Sequence, residues 1–106
     1  MTPDIRWRLA VGFRQRLRGL LGCAPPPSGT ALLIAPCRAV HTVGMRYPID
    51  IVFLSRDGRV VRICRQVPPM RVRVSLAAWA VAELAPGEAQ RMGMLSGMKL
   101  ELPRHA

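Results

Sequence analysis

A chain of 106 residues and 11.7 kDa has room for one hydrophobic core and too little for two, so a single domain over residues 1–106 is expected. Half of the residues are hydrophobic, which excludes a disordered chain. Sixteen basic residues against six acidic ones give a formal net charge of +10, and every basic residue except Lys99 is arginine. That surplus favours an acidic protein, nucleic acid or anionic membrane surface through long-range, salt-sensitive attraction. It is also what arginine-biased residue usage leaves on a solvated surface, so charge alone names no partner.

Cys23, Cys37 and Cys64 are odd in number and include no Cys-x-x-Cys pair, which speaks against a disulfide scaffold and suits a reducing compartment. The N-terminal residues carry charge where a secretory leader needs a continuous apolar run, and no apolar stretch approaches the length of a membrane span. These signs predict a cytoplasmic protein without a transmembrane segment.

In chain order, residues 5–12 alternate apolar and polar as a half-buried strand does, with arginine on the wet side. From Phe13 the period becomes helical through Phe13, Leu17, Leu20 and Leu21, and Gly22 is placed to end a short helix. The proline-rich run 25–29 is a loop, residues 31–35 a short buried strand stopped by Pro36, and residues 37–48 an approach segment. Residues 49–54 read as a strand covered on both sides, with Ile49, Ile51 and Phe53 on one face and Val52 and Leu54 on the other. Asp50 interrupts that run, and His41, Thr42 and Arg46 are its nearest candidate partners in sequence. Arg56-Asp-Gly-Arg59 signals a tight hairpin whose return strand is 60–67. There Val61, Ile63 and Val67 are expected to share a face. Residues 70–75 alternate arginine with valine as an edge strand would, residues 79–84 form a further strand, Ala85-Pro-Gly87 turns the chain, 88–92 makes one helical turn, and 98–102 a last strand. The expected fold is mainly β, a compact antiparallel β-sandwich or barrel-like domain with one or two short helices.

The pieces Arg18-Gly-Leu-Leu21, His-Thr-x-Gly-Met-Arg-x-Pro-Ile-Asp at 41–50, Val52-Phe53, Asp57-Gly58-x-Val60-Val61, Glu83-Leu84-x-x-Gly87 and Gly97 stand in an order that resembles domain-of-unknown-function family 192, a group of small bacterial and archaeal proteins. The resemblance spans about residues 13–102 and implies a mostly antiparallel β fold with no assigned reaction. Many members carry Trp-Met where this chain has His41-Thr42, Asn-Thr where it has Gly44-Met45, and Asp where it has Met98; Pro48 and Asp50 agree with the family pattern. Relatives are often exported or lipid-anchored, and this sequence lacks that signal.

Three chemistries compete for the same residues. Cys37, His41 and Asp50 have the residue types of nucleophile, base and orienter, which would require an activated thiolate at Cys37. No oxyanion-hole motif accompanies them, and a lone cysteine in a small domain is commonly a buried hydrophobe. A metal site would have to recruit Cys64 and Asp50 to Cys37 and His41, a scattered set compared with paired cysteine motifs. The plainer reading has His41 and Thr42 hydrogen-bonding Asp50 to hold the turn before the strand, and Glu83 paired with Arg18 or Arg46 or sharing a pocket with Asp50. The pattern calls for no cofactor, no metal and no catalytic set. It points to a binding or accessory module whose polar pocket or partner surface lies over residues 37–50, with Arg18, Cys37, His41, Thr42, Arg46, Asp50 and Glu83 as its binding residues. The alternative is polyanion binding through Arg56, Arg59, Arg62, Arg65, Arg71 and Arg73, which would make one sheet edge strongly positive. Aromatic residues for base stacking are few and fall at core positions.

Overall fold

A computed structural model of the chain describes residues 2–10 and 19–103. Among the described residues seven strands form two sheets: β1 (Arg6–Leu9), β2 (Thr30–Ile34), β3 (Ala39–His41), β4 (Ile49–Leu54), β5 (Val60–Val67), β6 (Val72–Val74) and β7 (Ala80–Leu84), followed by one helical turn, α1 (Glu88–Arg91). The larger sheet has the order β1-β2-β7-β4-β5, with β1 parallel to β2 and the other neighbours antiparallel; β3 and β6 pair as a separate two-stranded ribbon. The fold is therefore mainly β and a single small domain, as the alternation predicts. The sheets do not close into a barrel.

β4 and β7 occupy the middle of the larger sheet, and every residue of both is buried. Ile49, Ile51, Phe53 and Val81 enter one core cluster, and Val52, Leu54, Ala80, Ala82 and Leu84 enter the other. The ribbon and the turns around Leu20 cover the first face, through Leu20, Met45 and Val40. The second face is covered by Ala89, Met94 and Leu100, with Trp7 and Trp79 at its margin. Each fully buried aliphatic or phenyl side chain of β4 contributes about 1.5–3 kcal/mol, so this one strand outweighs the several kcal/mol that a carboxylate in its midst would cost.

The structure departs from the sequence expectations in four places. β5 carries two register shifts against β4, between Ile49 and Ile51 and between Phe53 and Leu54. They set Val61, Cys64 and Val67 toward one core cluster and Val60 and Ile63 toward the other, so Val61 and Ile63 do not share a face. Residues 39–41 form a strand that the polar approach segment concealed. Residues 98–102 contribute only an isolated bridge, Arg59 with Lys99, in place of a strand. Of the expected helix from Phe13 to Gly22, residues 13–18 lie outside the described residues and 19–22 are turns.

The Ser55–Arg59 turn shows why glycine is needed at its tip. Gly58 has φ +91°, and a Cβ there would collide with the Leu100 carbonyl oxygen, whose own N–H group neighbours the turn by donating to Gly58 O at 2.8 Å. Gly58→Ala is expected to destabilise the protein by roughly 2 kcal/mol or more, because backbone cannot yield as a flexible side chain can; chemical denaturation of the two proteins side by side measures it.

Candidate functional site

Asp50 is fully buried and sits on the face of β4 opposite Ile49 and Ile51. Its Oδ1 accepts the Gln66 N–H at 2.8 Å, and its Oδ2 accepts the Ala89 N–H at 2.8 Å. Gln66 stands in the β5 irregularity with φ +47°, where its N–H is turned out of the ladder. Ala89 lies in the first turn of α1, whose capping residue, Gly87, has no side chain to offer. The carboxylate thus satisfies two backbone donors that the local chain leaves open. The expected partners His41, Thr42 and Arg46 are not among these donors: Asp50 reaches the second face of the sheet, and residues 41–46 lie on the first.

Thr42 is also fully buried, with a different role. Its hydroxyl donates to the Pro68 carbonyl at 2.7 Å and accepts the Arg71 N–H at 2.9 Å, which ties the end of β3 to the loop entering β6. His41 and Arg46 are exposed. Cys37 is half-buried, and its thiol donates to the Ala39 carbonyl at 3.2 Å. Burial pushes that thiol up from its ordinary value, and the negative charge of Glu83 adds to the rise. An activated nucleophile needs the opposite shift. The Cys37, His41, Cys64 and Asp50 set does not converge, since Cys64 registers with Ile51 on the face away from Asp50. Among the described residues no group of three or more such side chains is placed to hold a metal ion. None of the three cysteines is in a disulfide.

Glu83 registers with Ile51, and Asp50 with Leu84, so the two carboxylates project from opposite faces and do not share a pocket. Glu83 Oε1 accepts the Leu20 N–H at 3.1 Å. The approach is close enough that a Cβ on Gly19, at φ +53°, would stand 2.6 Å from that oxygen. Desolvation pushes the Glu83 carboxyl up to about 7, and the Leu20 N–H only partly opposes it. The expected partner Arg46 is not the group that holds Glu83; Arg18 lies outside the described residues.

Leu20, anchored in this way, forms one wall of a cleft of about 510 Å³. The wall continues through Leu21 to Pro25, and residues 44–47 form the other side. The Tyr47 hydroxyl donates to the Cys23 carbonyl at 3.0 Å and holds the two walls together. Leu20 and Met45 supply buried apolar surface, and Arg46 supplies a guanidinium. Of the six expected binding residues that are described, only Arg46 lines this cleft; Glu83 supports it from behind through Leu20, and Asp50 lies on the opposite face of the sheet. Leu20, Cys23, Met45 and Tyr47 were not expected. The Arg18-Gly-Leu-Leu21 and Gly-Met-Arg pieces already held the two walls, but nothing in their spacing joins them.

The six arginines of the polyanion alternative are dispersed. Arg56 lies over the Trp79 ring, 5.2 Å from its centroid. Arg59 donates to Gly97 O at 2.8 Å, Arg62 to Val74 O at 2.7 Å and Arg65 to Met94 O at 3.2 Å. Arg71 donates to Met70 O at 3.3 Å, and Arg73 to Val72 O at 2.9 Å. Arg62 therefore reaches the ribbon and Arg65 the C-terminal segment on the other side of the sheet, so the edge strand β5 spreads its charge over two faces.

The family model described as "Uncharacterized ACR", domain-of-unknown-function family 192, matches residues 2–102. The chain belongs to this family. No curated protein matches it. Two solved structures share the family member's fold at 24% identity, each over 92% of this chain. One is a protein of unknown function from Novosphingobium aromaticivorans, with 75% of its own chain covered and a TM-score of 0.81. The other is from Sinorhizobium meliloti, described as a "putative transcription regulator", with 81% of its own chain covered and a TM-score of 0.82. Among the described residues no helix is long and apolar enough to cross a membrane.

Two outcomes are expected from the carboxylates. Asp50→Ala strands the Gln66 and Ala89 N–H groups and should cost about 2–5 kcal/mol in denaturant unfolding. For Glu83 the folded protein holds its proton to a higher pH than the unfolded chain, so its stabilising effect is complete below pH 4.5 and fades as the pH rises to about 7. The loss across that window amounts to about 3 kcal/mol at most. Glu83→Gln keeps an acceptor for Leu20 and should flatten this part of the stability–pH profile while raising stability above pH 7; an unchanged slope would assign the dependence to another group.

Proposed function

We propose that this family member is a binding module whose cleft between residues 20–25 and 44–47 takes a small ligand, or the end of a larger one, with an apolar body and an anionic group. The observation that carries the reading is the composition of the walls: Leu20 and Met45 offer apolar surface, and Arg46, an exposed lining residue, offers a fork of donors. A guanidinium beside an aliphatic floor fits a carboxylate or phosphate attached to a hydrocarbon. The other polar groups near the cleft are already occupied with structure. The Tyr47 hydroxyl holds Cys23, the Thr42 hydroxyl holds Pro68 and Arg71, and Glu83 holds Leu20. The raised thiol of Cys37 supports binding over nucleophilic catalysis.

Polyanion binding by the hairpin arginines has the net charge in its favour and their dispersal against it. The word "regulator" in the description of the Sinorhizobium meliloti protein is compatible with either reading, since a regulator senses a ligand or contacts nucleic acid.

Octanoate, octanol and octylamine serve as matched probes in an amide chemical-shift titration. Octanoate is expected to shift Leu21, Cys23, Met45 and Arg46, and Arg46→Ala to weaken it about five- to tenfold, as loss of one partly exposed charge-assisted contact implies. Equal responses to octylamine, or shifts confined to the arginine hairpin, would overturn the assignment.

A further inference from the structure

The β3–β6 ribbon and its connections carry five of the six large hydrophobic side chains that are exposed among the described residues. Val72 is 59% exposed, Val74 45%, Val43 45%, Met70 66% and Leu76 78%, and all belong to the ribbon or its connections. Contiguous apolar surface of this kind marks interaction sites more often than chance exposure does. The register places His41 opposite Val72 and Ala39 opposite Val74, so these four side chains share the outer face, while Val40 packs into the core.

The protein spends buried hydrogen bonds on displaying this surface. Met70 has φ +67°, a conformation unfavourable for a residue with a side chain, and its N–H donates to the Thr42 carbonyl at 3.2 Å. Thr42 also holds Pro68 and Arg71 on either side. Its buried hydroxyl thus secures the loop that projects Met70, a side chain adaptable enough to fit an irregular partner.

The edge of β6 adds a chemical direction. Thr42 N donates to Arg71 O and Ser75 N donates to Arg38 O, which makes 42/71 and 38/75 hydrogen-bonded pairs and, by alternation, turns the backbone groups of Val72 and Val74 away from β3. Their outward carbonyls are taken, Val74 O by Arg62 Nη1 and Val72 O by Arg73 Nη1. Arg73 stands opposite Val40 and leaves β6 on the inner side, with its guanidinium reaching the edge at Val72 O; the edge therefore presents N–H groups, the exposed Arg62 guanidinium and the tip of Arg73, with its acceptors covered. A further β-strand needs both donors and acceptors and is poorly matched, whereas carboxylates need donors alone.

We propose that the outer face of the β3–β6 ribbon, bounded by Met70, Val72, Val74 and Leu76 and edged by Arg62 and Arg73, docks an extended segment of an acidic partner protein that interleaves carboxylate and aliphatic side chains. The net charge of +10 favours an acidic partner and opposes a second copy of this chain. The patch is aliphatic except for the His41 imidazole, and among the described residues no Phe, Tyr or Trp stands on it for bases to stack on, which favours protein over nucleic acid.

The test uses a fluorescent decapeptide alternating Glu and Leu, a decapeptide alternating Glu and Ser, oligothymidylate, and vesicles of phosphatidylcholine and phosphatidylserine. Anisotropy, or co-sedimentation for the vesicles, reports binding to the full chain. The Glu-Leu peptide is expected to bind at least about tenfold more tightly than the Glu-Ser peptide. The combined variant Met70→Ser, Val72→Ser, Leu76→Ser should abolish that preference while its circular dichroism and melting temperature stay those of the parent. Arg73→Gln should weaken the Glu-Leu peptide and reduce its salt dependence. Equal binding of the two peptides, or tighter binding of oligothymidylate or vesicles that the triple variant removes, would overturn the proposal. Failure of octanoate to bind the cleft leaves these expectations unchanged, since Arg46 takes no part in them.

Discussion

One buried carboxylate gathers three separate parts of this fold. Asp50 lies at the start of the central strand, and its two oxygens reach the irregular end of β5 and the first turn of α1. Each target is a backbone N–H that its own element leaves without a partner, one because β5 changes register and one because helix starts always do. The register shift and the carboxylate are mutually dependent: without the shift Gln66 N–H would belong to the ladder, and without Asp50 it would be buried unsatisfied. A single acid thereby fixes where the edge strand bends and where the helix begins.

Glu83, one strand away, is a contrasting use of the same chemistry. It faces the other core cluster, receives the Leu20 N–H, and keeps its proton far above the ordinary carboxylate range because burial dominates. Asp50 is a stitched crosslink, while Glu83 is a supporting post under the Gly19-Leu20 turn. A second acid on the α1 side, Glu88, completes the set. The Arg91 guanidinium, Gly29 N–H and Ser28 hydroxyl hold it down to about 2, and it ties the loop before β2 to the helix. Three of the chain's six acidic residues are therefore buried and committed to internal bonds, which leaves the arginine surplus of the exterior little compensated.

Much of the strand pattern was legible because the strongest signals were local. The apolar run from Ile49 to Leu54, the Asp57-Gly58 turn and the paired prolines after Val67 each specify their structure within a few residues. The family resemblance was legible for another reason, since it depends on order along the chain. What sequence alone could not give was the partnership between distant positions. Nearness in sequence points Asp50 to His41, Thr42 and Arg46, yet alternation along β4 turns it to the opposite side. The faces of β5 depart from a strict two-residue period because that period does not register an inserted residue. The cleft leaves no mark in the sequence because its walls, around Leu20 and Met45, carry ordinary apolar residues whose meeting depends on Glu83 and Tyr47. The ribbon leaves none because β3 is three residues long and too polar to read as a strand.

The alternation that sends Asp50 and Glu83 to opposite sides also divides labour across a thickness of one sheet. The side held by Asp50 and Glu88 is closed by bonds between backbone and carboxylate, which tolerate little change. The side of Glu83 ends in turns, a cleft and a ribbon, none of which shares a hydrogen bond with Asp50. Substitutions can therefore accumulate on the Glu83 side, altering what is bound, without disturbing the anchor on the Asp50 side. A small β domain built in this way can be retuned for new partners much as a tool handle accepts new heads.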